Sequence, residues 1–209
     1  MNRATLGLLL SICISCAPTA FKTKWTEEKA PEYFQAKFET TQGEFKIEAR
    51  REWSPAGVDR LYQLIKRGFY EDIAIYRVVP DFVVQFGIHT DSTKNTAWTG
   101  VKVPDEPVIK LNELGTISFA RGGIQTRSTQ LFINIKNNSP RLDELDYSGV
   151  KGFPAIAQVT EGMEVVEKFY GAYGNQPATK QGAIYAEGNA FLKANYPELD
   201  YITQAYIIK

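Results

Sequence analysis

The chain is poor in the residues that most often carry chemistry. Among its 209 residues there is one histidine, His89, and two cysteines, Cys13 and Cys16. Both cysteines sit in an apolar N-terminal stretch, so the rest of the chain cannot form an internal disulfide or a cysteine zinc site. A lone histidine excludes most metal and triad chemistries, and no metal or cofactor signature is present. Neither charge is in surplus, with Lys and Arg at 24 and Asp and Glu at 24. That balance argues against a nucleic-acid partner and against an acidic solvating tail. No phosphate-cradling glycine loop, Gly-x-Ser-x-Gly elbow or His-Glu-x-x-His pair occurs, and no period of 20–50 residues marks a repeat.

What is present begins with an address. Met1-Asn2-Arg3 carries one positive charge, and the nearly uncharged run that follows includes Leu6, Leu8, Leu9, Leu10, Ile12 and Ile14. The run is shorter than the roughly 20 apolar residues a membrane span needs. It therefore reads as a signal peptide. Ser15-Cys16-Ala17 resembles the end of a bacterial lipoprotein signal, although Cys13 stands where leucine is usual. The resemblance implies that Cys16 is lipidated and becomes the first mature residue. The alternative is ordinary cleavage near Ala17 or Ala20, giving a soluble secreted protein. The organisation expected is a signal peptide over 1–16, a flexible polar tether over 17–31 and one domain over 32–209.

Hydrophobic residues at 44% and charged residues at 23% suit a globular domain. Residues 33–40 and 44–50 alternate, with Phe34, Ala36 and Phe38, then Phe45, Ile47 and Ala49, on one face. Period two across Thr41-Gln42-Gly43 predicts a hairpin. Ser54-Pro55 predicts a helix start with Ser54 as N-cap, followed by Val58, Leu61, Tyr62 and Ile65 at helical spacing and a stop at Gly68. Further strands are expected over 73–79, 82–88, 116–120, 130–135, 155–159 and 201–208. Helices are expected over 162–170 and 189–194, and a surface loop over 172–188. Many short strands and few helices imply an antiparallel barrel or sandwich. His89 is expected to be a loop histidine with no chemical role. Asp143, Glu144 and Asp146 are expected to form a solvated loop.

Two segments say more. Residues 69–87 read FYEDIAIYRVVPDFVVQFG, and residues 115–134 read GTISFARGGIQTRSTQLFIN. The first resembles the cyclophilin stretch in which an aromatic-Arg pair leads into a Pro-x-Phe turn, a glutamine and a glycine. The second resembles the same family's segment ending in Ser/Thr-Gln-x-Phe-Ile. Their order and spacing match, and the likeness covers about residues 33–209. The resemblance implies a closed eight-stranded antiparallel β-barrel capped by two helices, and peptidyl-prolyl cis/trans isomerase activity without a cofactor. It implies Arg77 as the catalytic arginine, with Phe82 and Gln85 beside it. Val83, Ala120, Arg121, Gln130, Phe132, Leu142 and Phe153 would bind substrate.

The sequence also departs from the family. Arg121 replaces a common asparagine, Tyr76 stands where histidine precedes the arginine in many relatives, and no tryptophan occurs between Ile135 and Phe153. Strong cyclosporin binding is therefore not implied. The partners expected are proline-containing peptides and folding proteins, met by a monomer that faces the periplasm on a lipid anchor, with the outer membrane favoured. The alternatives are a proline-peptide binding module or holdase that has lost turnover, and a structural envelope lipoprotein.

Overall fold

The computed structural model of the chain describes residues 20–209. The expected signal segment, with Cys16, lies outside the described residues. Strands β1 (Tyr33–Thr40) and β2 (Gly43–Arg50) form the expected hairpin, in register from Tyr33 opposite Arg50 to Thr40 opposite Gly43. Their alternation buries Phe34, Ala36, Phe38, Phe45, Ile47 and Ala49, and Phe38 stacks on Phe45 at 4.9 Å. Helix α1 (Pro55–Lys66) buries Val58, Leu61, Leu64 and Ile65, and Gly68, at φ +64°, ends it where a left-handed residue is required.

The chain continues through β3 (Ile73–Ala74), β4 (Arg77–Val79), β5 (Val83–Phe86), α2 (Ser92–Thr99), β6 (Thr116–Phe119) and β7 (Leu131–Asn134). It ends with α3 (Arg141–Glu144), β8 (Asp146–Tyr147), β9 (Val150–Lys151), β10 (Ala155–Glu161), α4 (Met163–Val166), α5 (Gln181–Glu187), α6 (Asn189–Asn195) and β11 (Tyr201–Ile207).

Among the described residues, nine strands make one antiparallel sheet in the order β3-β11-β1-β2-β10-β6-β7-β5-β4, and β8 pairs with β9 in a separate hairpin. The architecture is a half-barrel of nine strands with helices, which corrects the expected closed eight-stranded barrel with two caps. The cause lies in residues 73–79, read from sequence as one strand. They form two strands at opposite edges of the sheet, and the Ile75 amide between them donates to the Asp200 carbonyl at 2.8 Å instead of joining a ladder. Ile75 and Tyr76 are both buried, so the break leaves no mark on the hydrophobic pattern.

Four other expectations are corrected. The tether expected over 17–31 is packed on the domain over its described part. Phe21 meets Trp98 at 5.1 Å between rings, Trp25 stacks on Trp98 at 6.5 Å, and Gln63 Nε2 donates to the carbonyls of Thr26 and Glu28. Aromatic rings supply the area that a polar tether was expected to lack. The loop expected over 172–188 contains α5, whose Ile184 joins Leu192, Leu199, Ala74, Tyr76 and Ile88 in an apolar cluster of their own. Asp143 is buried, not solvated, because its Oδ1 accepts from both the backbone and the side-chain amide of Asn112 at 2.8 Å. The helix expected over 162–170 is the single turn α4.

The main core joins apolar residues of β1, β2, β5, β6, β7, β10 and β11 to the apolar face of α1. Each such large side chain contributes about 1.5–3 kcal/mol on burial. Among the described residues, no helix is long and apolar enough to cross a membrane.

Candidate active site

The strands that build the core also build a site on their opposite face. In β5, Val84 and Phe86 enter the core, while Val83 and Gln85 take the other side, as period two requires. In β7, Leu131 and Ile133 face the core and Phe132 the site; in β4, Val78 faces the core and Arg77 the site. The ladders then fix a row. Arg77 lies opposite Gln85, Gln85 opposite Phe132, and Phe132 opposite Ser118.

This row floors a concavity of about 520 Å³ including its open mouth, lined by Arg77, Phe82, Val83, Gln85 and Phe132, with further residues from distant loops. Ala120, Arg121, Leu142 and Phe153 complete nine of the ten substrate-contacting residues expected from sequence, and Tyr147 joins them. Gln130, the tenth, lines an adjoining polar groove that shares Gln85, Ala120, Arg121 and Tyr147 with the first. Val83, Phe132 and Leu142 form a small apolar cluster with Phe82, Ala120 and Phe153 against it, and Phe153 meets Phe132 edge-on at 5.7 Å. The hollow is therefore apolar at its base and cationic along one side.

Arg77 is held from two directions. Its Nε donates to Asn175 Oδ1 at 2.6 Å and its Nη1 to Gln85 Oε1 at 2.9 Å, while its guanidinium lies 5.7 Å from the Phe82 ring centre. Burial lowers its pKa from the usual arginine value, yet a guanidinium stays protonated in proteins. Two of its five N–H donors face these partners, which leaves others for a ligand. Gln85 Nε2 donates to the Tyr76 hydroxyl at 2.7 Å and to Gln130 Oε1 at 2.9 Å. Tyr76 thus fills the place before the arginine with a neutral hydroxyl, which burial pushes well above the ordinary tyrosine range.

Arg121 departs from asparagine and has different work. Its guanidinium donates to the carbonyls of Tyr147 at 3.0 Å and Val150 at 2.9 Å, and to that of Gly152, while stacking 4.3 Å over the Phe153 ring. It ties the β8–β9 hairpin to the wall of the pocket. Loop geometry beyond it is set by Asn138, whose Nδ2 donates to the Phe82 carbonyl at 2.9 Å. Asn112 holds the far side by donating to the Phe153 carbonyl at 2.8 Å. Tyr147, Asn175 and Arg141, the last with its guanidinium 5.0 Å from the Phe82 ring, were not singled out from sequence. Arg141 opens α3, Tyr147 ends β8 and Asn175 lies in a loop, all too short to carry a sequence period, and only the fold brings them to the site. Among the described residues, no cluster of His, Cys, Asp and Glu could hold a metal ion.

An apolar hollow with a half-buried, hydrogen-bonded arginine on a half-barrel defines a class of site that can grip a small ring and donate to a neutral atom. Comparison with known proteins identifies the class. Residues 35–185 match the family model described as cyclophilin-type peptidyl-prolyl cis-trans isomerase/CLD. The chain is similar to peptidyl-prolyl cis-trans isomerase A of Dickeya dadantii, at 31% identity over 150 residues, 66% of this chain and 76% of that one. It is also similar to peptidyl-prolyl cis-trans isomerase-like 1 of Aspergillus fumigatus, at 29% over 134 residues, 63% of this chain and 78% of that one. A crystal structure of a Cryptosporidium parvum cyclophilin-type isomerase shares the fold with a TM-score of 0.61 and 16% identity, covering 85% of this chain and 98% of that one. The same protein was also solved in the presence of the dipeptide Ala-Pro. The chain belongs to the cyclophilin-type peptidyl-prolyl cis-trans isomerase family, and its enzymatic class is that of a peptidyl-prolyl cis-trans isomerase.

Proposed function

We propose that this chain accelerates X-Pro bond rotation in exported or envelope proteins, with Arg77 stabilising the twisted amide. Rotation about a peptide bond faces a barrier of about 18–20 kcal/mol because twisting removes resonance. No bond breaks, so the task is to bind the twisted form more tightly than either planar one. As the amide twists, its nitrogen becomes pyramidal and regains a lone pair. A guanidinium N–H can donate to that lone pair, and the bond strengthens where water is kept away. Phe82, Val83, Phe132 and Leu142 offer an apolar seat for a proline ring. Gln85 and the backbone of Ala120 and Arg121 offer polar groups for the residue before it.

The observation that carries this reading is the convergence of Arg77, Gln85 and Phe132 in one cross-strand row beside the apolar seat. Its test is X-Pro exchange in a short peptide followed by NMR, with the full chain and with Arg77→Ala. The variant should lose at least about ten-fold in kcat/KM, which corresponds to about 1.4 kcal/mol of lost transition-state binding. No acceleration by the folded parent protein would overturn the reading, and peptide binding without turnover would then assign a binding module. The site of action rests on the N-terminal pattern: a signal over 1–16, a lipid on Cys16, and a domain facing the periplasm at a bacterial membrane. Export matters physically because X-Pro exchange unaided takes tens of seconds or longer.

A further inference from the structure

We propose that Gln181 and Tyr185 of α5 are positioning residues for Arg77, acting through a fixed chain of amide side chains. The inference rests on the role of Arg77 given above.

The chain of bonds has only one consistent direction. A guanidinium has donors and no acceptor, so Gln85 must turn its oxygen to Arg77, as the 2.9 Å contact from Nη1 shows. The Gln85 amide nitrogen then faces away and donates to Tyr76 and to Gln130 Oε1. Gln130 must therefore present its oxygen there, where it also accepts from the Tyr76 hydroxyl. That leaves the Gln130 amide nitrogen pointing at α5, where it donates to Gln181 Oε1 at 3.0 Å and to the Tyr185 hydroxyl at 2.8 Å. Remove those two acceptors and nothing on α5 fixes the Gln130 amide. If it turns over, its NH2 meets the NH2 of Gln85, and relieving that clash turns Gln85 so that it offers a donor to Arg77. One flipped amide at the helix thus costs the arginine an acceptor two side chains away.

The element that supplies these acceptors is built to hold still. Ile184, between them, is buried with Leu192 of α6 and Leu199 against Ala74, Ile88 and the Tyr76 ring. Tyr76 is shared, with its ring in the apolar cluster of α5 and α6 and its hydroxyl in the amide chain. Burial raises the Tyr185 hydroxyl pKa, so it remains a neutral acceptor at ordinary pH. The match to the family model stops at residue 185, within α5, and α6 lies beyond it.

The test uses the full chain carrying Tyr185→Phe, which keeps the ring, Gln181→Ala, and both together. Two readouts are taken: X-Pro exchange rates, and the 15N resonance of the Arg77 Nε–H group, assigned by its loss in Arg77→Ala. The double variant should keep the parent melting temperature and lose about three- to ten-fold in kcat with KM nearly constant. Its Arg77 Nε resonance should shift or broaden, and adding the double change to Arg77→Ala should cause no further loss. Gln181→Glu, which keeps an acceptor oxygen, should restore most of the loss caused by Gln181→Ala. An unchanged rate and an unchanged Nε resonance in the double variant would overturn the proposal. A double variant that unfolds is replaced by Tyr185→Phe alone, read by the same two measures. If Arg77→Ala itself turns over at the parent rate, the catalytic reading of Arg77 fails, and the Nε resonance still reports separately whether α5 governs that side chain.

Discussion

Only one imidazole exists in this protein, and the fold places it where it resists protonation. His89 is buried, its Nδ1 accepts from the Asp91 amide at 2.8 Å, and it packs 5.3 Å from the Phe69 ring. Burial, helped by the nearby Lys94 charge and opposed by Asp91 and Asp72, lowers its pKa from 6.5 to about 4. The unfolded chain therefore binds a proton on His89 that the folded one refuses between about pH 6.5 and 4. Stability from this residue is fully present above the unfolded value and is lost as pH falls through that window. The residues lining the apolar hollow have no comparable group, since its charged members are arginines. Two outcomes are expected: kcat/KM stays flat from about pH 6 to 9, while urea midpoints fall below about pH 6.5. The single imidazole Hε1 signal should titrate near pH 4. An inflection in kcat/KM near neutral pH would assign a titrating group to the site and refute this account.

Helix α1 shows how an element can be signalled by its sequence yet secured from elsewhere. Ser54 was the expected cap, but its side chain accepts no bond from the first-turn amides. Glu106, some fifty positions downstream, takes that place: its carboxylate accepts from the amides of Ala56 at 2.8 Å and Gly57 at 3.1 Å, and from the Ser54 hydroxyl. Arg127, 1% exposed, donates to the same carboxylate at 2.9 Å. Although burial acts to raise its pKa, bonds from Ser54, the Ala56 amide and Arg127 hold Glu106 below the usual carboxylate range. Glu106→Ala should cost about 3–5 kcal/mol, because it strips the helix start and strands a buried guanidinium. In thermal melts Glu106→Leu with Arg127→Met should lose less than Glu106→Ala alone. An equal or larger loss in the double variant would show that the pair is worth more than its desolvation cost. The same element-level view explains what could be read in advance. The hairpin and α1 announce themselves because each buries residues at its own period, whereas β5, β6, β7 and β10 read as short apolar runs bounded by turns and β11 as a terminal β-rich run. Helix α2, with the sequence STKNTAWT, buries only Asn95 and Trp98, so no period marks it. Helix α5 offered good helix formers in Ala183, Ala186 and Glu187, but its glycine-rich flanks suggested a loop. In the site, the residues inside the two motifs were legible, while Tyr147, Asn175, Gln181 and Tyr185 reach it only through folding.

At the scale of the whole molecule, the packed N-terminal segment changes what a lipid on Cys16 would do. A free leash over 17–31 would let the domain stand roughly 50 Å from its anchor, at about 3.3–3.6 Å per residue. Instead the chain is pinned from Phe21 onward by Trp25 and Trp98, by the Arg67 guanidinium 5.0 Å from the Trp25 ring, and by Asp59, whose Oδ1 accepts from the Ala30 amide at 2.9 Å. Lys66 and Arg67 both bond to Glu28 and close the segment from the other side. Five residue steps then separate Cys16 from Phe21, at most about 18 Å. A lipidated chain would be held with this aromatic and basic face close to the bilayer. The segment carries Lys22, Lys24 and Lys29, so trypsin reports its docking. Full-length protein should stay with the membrane fraction, and Cys16→Ser should not. Trypsin should release the parent domain slowly, and Phe21→Ala with Trp25→Ala at least about ten-fold faster, because cleavage tracks local opening. Retention of Cys16→Ser on the membrane would remove the lipid anchor from the account. Equal release of parent and double variant would show that the aromatic contacts do not hold the segment down.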